Sequence, residues 1–152
     1  DFHRMMTRLV EMEDSQYSYR NVLAAYTSGG ILAGICVAYD GGKLHQLRRR
    51  FYEAALEAFG IDYTGMTDET EDGEFYIDSL AVSSNFSGKG IASQLLQATI
   101  ERGAEFGIPT VGLLVDKGNP KAEALYQRLG FVYVNDSTWG GHPMRHLQYK
   151  HD

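Results

Sequence analysis

Residues 75–96 read FYIDSLAVSSNFSGKGIASQLL. Tyr76, Ile77, Leu80, Ala81 and Val82 are strand formers, and Ser83 to Ser87 are a polar break. Gly88-Lys89-Gly90 follow, with glycines that let backbone approach a ligand closely. From Ala92 onward, Ala92, Leu95, Leu96, Thr99 and Ile100 are spaced one, three or four apart, which is one face of a helix. A strand that runs through glycines into a helix aims unpaired N–H groups and the positive dipole end at one point, a place for a phosphate. Glycines serving geometry alone are the other reading of this pattern.

The flanking chain extends the unit. Gly107-Ile108-Pro109 closes the helix, and Thr110 to Val115 (TVGLLV) reads as a strand buried on both faces. Strand, helix and strand in this order predict a right-handed crossover between parallel neighbours. Asn119-Pro120 opens a second helix, with Ala122, Leu125, Tyr126 and Leu129 inward and Gly130 at its end. Phe131 to Val134 and Met144 to Tyr149 are expected as two last strands, joined by the turn-rich tract NDSTWGGHP. Upstream, Lys43 to Phe59 reads as a helix with Leu44, Leu47, Phe51, Ala54, Ala55 and Ala58 on one side. Arg48, Arg49 and Arg50 span most of one turn, so a solvated face is expected, with one arginine at most reaching a phosphate. Residues 60–74 are expected as a loop. Its acidic half, Asp68, Glu69, Glu71, Asp72 and Glu74, leads into the central strand and is able to attract a cationic substrate. Tyr17 to Tyr26 and Ile31 to Tyr39 predict a hairpin turning at Ser28-Gly29-Gly30, and Gly34 suggests a bulge or a close backbone approach. Phe2 to Met12 carry a helical face that starts without an evident cap.

The 152 residues fit one domain, and 43% hydrophobic content excludes a disordered chain. A net charge of −6 argues against nonspecific nucleic-acid binding. No apolar run approaches the ~20 residues of a membrane helix, and no signal-peptide pattern is evident at the N-terminus. Cys36 is the single cysteine, which excludes an internal disulfide and points to a buried thiol in a reducing compartment, hence the cytoplasm. No metal is expected, because His142 and His146 share a strand-like context without further ligands.

The segments LAVSSNFSGKGIASQLL and LLVDKGNPKAEALYQRLGF resemble the two core motifs of the GNAT superfamily of acetyl-CoA-dependent N-acetyltransferases. In the first, Gly90 and Ala92 match the last two fixed positions, while Ser87 stands where the family has Gln or Arg. In the second, Asn119, Ala122, Leu125, Tyr126, Gly130 and Phe131 all match. The resemblance implies an α/β (α+β) fold: a mixed, mostly antiparallel central sheet with a parallel, splayed strand pair and helices on both faces. It also implies a single N-acetyltransferase domain over residues 1–152, lacking the family's first strand and helix.

By this resemblance the co-substrate is acetyl-CoA. The backbone amides of Gly88, Lys89, Gly90, Ile91, Ala92 and Ser93 would hold its pyrophosphate, with the Lys89 ammonium adding a point charge or simply facing solvent. The backbone of Leu80, Ala81 and Val82 would pair with the pantetheine arm. Asn119 would hydrogen-bond that arm, cap its helix, or do both. Tyr126 would protonate the departing thiolate. An acceptor amine of pKa ~10 is about one part in a thousand neutral at pH 7, a deficit of ~4 kcal/mol, so a carboxylate base is expected. Asp78 and Glu74 are the candidates. They share a strand face with Tyr76, and either is alternatively an ordinary strand or loop carboxylate.

The acceptor is expected to be a small-molecule or peptide amine, attacked directly in a ternary complex, and a homodimer stays open. Two other readings remain. One is a noncatalytic acyl-CoA-binding or regulatory module on the same fold. The other is a dinucleotide-binding domain using Gly88-x-Gly90 and Asp116, although Ser93 stands at its third glycine position.

Overall fold

The computed structural model describes residues 1–151. Six strands form one sheet in the order β1-β2-β3-β4-β6-β5. They are β1 (Val22–Tyr26), β2 (Leu32–Asp40), β3 (Phe75–Val82), β4 (Thr110–Asp116), β5 (Val132–Trp139) and β6 (His142–Lys150). The helices are α1 (Phe2–Glu11), α2 (Leu44–Phe59), α3 (Ile91–Glu105) and α4 (Pro120–Arg128). All neighbouring strands are antiparallel except β3 and β4, which α3 connects.

The sheet divides two apolar layers. Phe75 and Ile77 of β3, Val111 and Leu113 of β4 and Leu147 of β6 pack with Leu95, Leu96 and Ile100 of α3, and Leu125 and Tyr126 of α4 lie against them. On the other face, Tyr39 and Tyr76 pack with Leu44 and Leu47 of α2. Met5 and Leu9 of α1 then close over Ala55 of α2. Helices therefore cover both faces, as expected.

β3 and β4 pair only where Phe75, Tyr76 and Ile77 face Val111, Gly112 and Leu113. Beyond Ile77 and Leu113 both strands run on without a ladder between them, which opens a split in the sheet. The β2–β3 register slips at the same point: Ala38 faces Ile77 and Val37 faces Ser79, so Asp78 is the extra residue of a bulge. The bulge shifts side-chain parity, and Leu80 and Val82 pack on the same apolar layer as Phe75 and Ile77.

Four expectations change. Tyr17–Asn21 is not strand; β1 begins at Val22, after a single tight turn over Tyr19–Asn21. The final hairpin is longer than expected, because Asn135–Trp139 and His142–Pro143 belong to β5 and β6. Gly140 and Gly141 alone make the turn, at φ 56° and 80°, the paired positive angles that suit the twist of a hairpin. β5 is an edge strand exposed along nearly its whole length, so polar Asn135, Asp136 and Ser137 sit in it without cost. Arg48 is 1% exposed instead of solvated. Finally, α1 does have a cap, since the Asp1 carboxylate accepts from the Arg4 amide at 2.9 Å.

Candidate active site

The strand-to-helix loop forms as its glycines predict. Gly88 and Gly90 take φ of 75° and 78°, and Gly90 occupies the cap position of α3 without a side chain to satisfy the first amides. The first bond of the helix runs from the Gln94 amide to the Gly90 carbonyl at 3.1 Å, which leaves the Ile91, Ala92 and Ser93 amides ahead of it. Ser87 is used locally, its hydroxyl donating to the Ser84 carbonyl at 3.1 Å. The Lys89 ammonium lies 5.7 Å from the centre of the Phe86 ring, a cation–π contact within the loop.

The loop stands at the wide end of the split. Along Leu80–Val82, β3 pairs with Cys36, Ile35 and Gly34 of β2, while its other edge has left β4. Gly34 supplies the close approach anticipated for it, since a Cβ there would lie 2.9 Å from the Ala81 carbonyl oxygen. Across the split, Asn119 caps α4, its side-chain oxygen accepting from the Ala122 amide at 3.2 Å. Tyr126 is half-buried on the α4 side, its ring edge-on to Phe131 at 6.1 Å. Among the described residues its hydroxyl has no hydrogen-bond partner. Burial, reinforced by nearby Cys36, raises the phenol pKa, so it stays protonated and able to donate at neutral pH. Cys36 itself is buried and unpaired, its thiol pushed up to about 11 by desolvation.

Asp78 lies on the opposite face. Its carboxylate accepts from the Tyr39 hydroxyl at 2.8 Å and from the Ser79 hydroxyl at 3.0 Å. Tyr39 in turn accepts from the Gln16 amide at 3.0 Å, which makes a buried chain Gln16–Tyr39–Asp78. Burial pushes the Asp78 carboxyl up to about 6, and the charge of Glu69 adds to this; the two hydroxyl donors and Arg48 pull the other way. Asp78 opens into a cavity of about 320 Å³ lined by Tyr17, Glu69, Tyr76, Ser79, Leu114, Trp139 and Met144. A larger cavity of about 720 Å³, bordered by Arg20, Lys43, Arg102 and Phe106, reaches neither Asp78 nor the glycine loop.

The acidic loop is held from inside. Arg48 donates to Asp68 at 3.1 Å, to Glu69 at 2.9 Å and to the Thr67 carbonyl at 2.9 Å. Tyr76 donates to the other oxygen of Glu69 at 3.0 Å. Arg48 is thus a tether that fixes Glu69 at the rim of the Asp78 cavity, and its charge is taken up there.

Glu74 does share the face of Tyr76 and Asp78, but its environment is closed. It is 3% exposed and bonded to Thr70 at 2.6 Å, His146 at 2.6 Å and Gln148 at 2.8 Å. Burial pushes its pKa up, but the bonds from His146, Thr70 and Gln148 outweigh burial and hold it below the usual value. Gly112 of β4 makes room for it, since a Cβ there would overlap the carboxylate. The sequence reading missed Gln16, Tyr17, Tyr39 and Trp139. Only Trp139, an isolated tryptophan in a tract of turn formers, carried a signal.

Similarity to known proteins agrees with this geometry. Residues 7–131 match the Acetyltransferase (GNAT) family. The chain is 35% identical over 78 residues to a mycothiol acetyltransferase of Propionibacterium freudenreichii, covering 50% of this chain and 24% of that protein. It is 26% identical over 94 residues to a spermine/spermidine N(1)-acetyltransferase of Bacillus subtilis, covering 60% of this chain and 62% of that protein. The chain thus spans less than two thirds of either relative's length. A solved acetyltransferase structure superposes with a TM-score of 0.83 at 29% identity, covering 98% of this chain and 79% of that one. The fold is one shared with solved acetyltransferase structures. The chain belongs to the acetyltransferase (GNAT) family.

Proposed function

We propose that this chain moves the acetyl group of acetyl-CoA to a primary amine by direct attack within a ternary complex. The observation that carries the reading is the split between β3 and β4, with unpaired helix-start amides at its mouth, Tyr126 on one face and Asp78 on the other. The amides from Gly88 to Ser93 would hold the diphosphate, the open edge of Leu80–Val82 would pair with the pantetheine arm, and Asn119 has its amide N–H groups left for that arm. Acetyl-CoA, when bound, would supply the activated acetyl group.

Of the two carboxylates, Asp78 is favoured as the base. It borders a cavity and is poised near neutrality, whereas Glu74 is enclosed by three donors and held ionised. The acceptor ammonium gives one proton to Asp78, and its nitrogen forms a C–N bond to the acetyl carbon. The C–S bond breaks, and the thiolate takes a proton from Tyr126. The second proton lost by the nitrogen balances the one Tyr126 gave up. The name of the spermine/spermidine relative fits an amine acceptor. The unpaired, buried Cys36 fits a reducing compartment, and we place the protein in the cytoplasm.

Thiol release from acetyl-CoA across a panel of primary amines tests this. Turnover with at least one amine is expected. Tight CoA binding without turnover on any amine would instead leave a noncatalytic acyl-CoA-binding module.

A further inference from the structure

The cavity beside Asp78 is walled by three aromatic residues from three separate parts of the chain. Tyr17 precedes β1, Tyr76 belongs to β3, and Trp139 ends β5 beside the Gly140-Gly141 turn. Glu69 and Asp78 add two carboxylates, and no Lys, Arg or His is among the lining residues. Two of the rings are braced by other aromatic edges. Tyr17 meets Phe51 edge-on at 6.3 Å, and Tyr76 meets Tyr39 edge-on at 5.9 Å while its hydroxyl is fixed on Glu69. Trp139 is 45% exposed at the mouth, a large apolar surface that the fold itself leaves uncovered.

We propose that this cavity is an aromatic box that admits the acceptor as a cation, selecting alkylammonium groups by charge over neutral groups of the same shape. The inference rests on the reading above that the amine approaches from the Asp78 side. Its physical basis is the electron-rich ring face, which attracts a cation without needing an N–H donor. Such a box also resolves a conflict in the reaction. The ammonium form dominates at neutral pH but is not nucleophilic, so a site that binds it and places Asp78 against it converts the abundant form into the reactive one. The nearest buried cation, Arg48, is already shared between Asp68 and Glu69 and so leaves the negative character of the cavity in place.

Trp139 is the only tryptophan, so its fluorescence reports on the cavity without turnover. The probes are choline, whose quaternary nitrogen has no N–H, and its neutral carbon analogue 3,3-dimethylbutan-1-ol. Choline is expected to shift the emission saturably and to compete with the amine acceptor, with the alcohol about tenfold weaker or more. Trp139→Leu and Tyr17→Leu are each expected to raise the inhibition constant of choline several-fold while leaving the KM for acetyl-CoA in place. Trp139→Phe keeps a ring and is expected to retain most of the effect. Equal binding of choline and the alcohol, or neither an emission shift nor competition with the acceptor at any choline concentration, would overturn the box. The two readings separate cleanly: acetyl transfer without choline binding removes the box alone, and choline binding without thiol release from any amine removes the transferase reading alone.

Discussion

Replacing Tyr39 with Phe removes one oxygen from the buried chain Gln16–Tyr39–Asp78 and keeps the ring that packs against Tyr76. The lost bond is a 2.8 Å donation to a carboxylate, and such bonds contribute ~1.5–3 kcal/mol. Because the donor favours the ionised form, its loss raises the Asp78 pKa, by about 1–2 units at ~1.4 kcal/mol per unit. The wild-type group sits at about 6, so the acid limb of kcat/KM for the acceptor is expected to move to about 7–8. At pH 7 this lowers the ionised fraction, and the rate, by about two- to tenfold; at pH 9 the rate is restored. The groups facing Asp78 are Tyr39, Ser79, Glu69 and Arg48, and the latter two are paired with each other, so Tyr39 is the adjustable member. Gln16 is 2% exposed and loses the partner of its amide nitrogen, so unfolding free energy is also expected to fall by ~1–3 kcal/mol. The assay is thiol release between pH 5 and 9 with wild type and variant side by side. An unmoved acid limb, or a loss equal at every pH, would refute the role of Tyr39 as a positioning residue and leave it as packing.

Asp78→Asn is expected to abolish most acceptor turnover yet stabilise the fold. The folded pKa of about 6 lies above the reference 3.8, so ionisation opposes folding, and stability falls as pH rises from 3.8 to 6, by at most ~3 kcal/mol. The Asn variant should match wild type in urea denaturation near pH 3 and exceed it above pH 6; equal stability at pH 7.5 would contradict the buried carboxylate. Tyr126→Phe is expected to lower kcat by about a hundredfold or more while the Kd for CoA changes less than about threefold, measured by calorimetry. Parallel loss of both would make the phenol structural. Gly112→Ala places a Cβ that overlaps the Glu74 carboxylate, which has to leave His146 and Gln148, so a loss of ~3–5 kcal/mol is expected from denaturant midpoints. A change below ~1 kcal/mol would show that β4 shifts freely.

The features legible in the sequence are those written in local spacing. The glycines before α3, the Asn119-Pro120 start of α4 and the apolar face of α3 each announce themselves within one or two turns of helix. Asp78 was legible from strand spacing, but its surroundings were not, because Gln16, Tyr39 and Trp139 come to it only when distant parts of the chain pair up. Arg48 was misjudged for a related reason: the run Arg48-Arg49-Arg50 reads as solvated although Arg48 falls on the same face as Leu44 and Ala55, and only the return of residues 67–69 supplies the carboxylates that allow its burial. The hairpin tract was misjudged because β5 is an exposed edge strand, where turn-forming residues are tolerated.

One local event links the two halves of the site. The extra residue at Asp78 lets Glu74, Tyr76 and Asp78 stay on one face while Leu80 and Val82, with their parity shifted, keep packing beneath α3. Even spacing correctly put the three polar side chains together, but it carries no information about the slip. With regular pairing, Ser79 and Ala81 would take the core positions of Leu80 and Val82, and the apolar layer under α3 would lose two large side chains. The bulge is therefore held in place by the burial of Leu80 and Val82. The geometry at Asp78 thus rides on hydrophobic packing on the other face of the sheet.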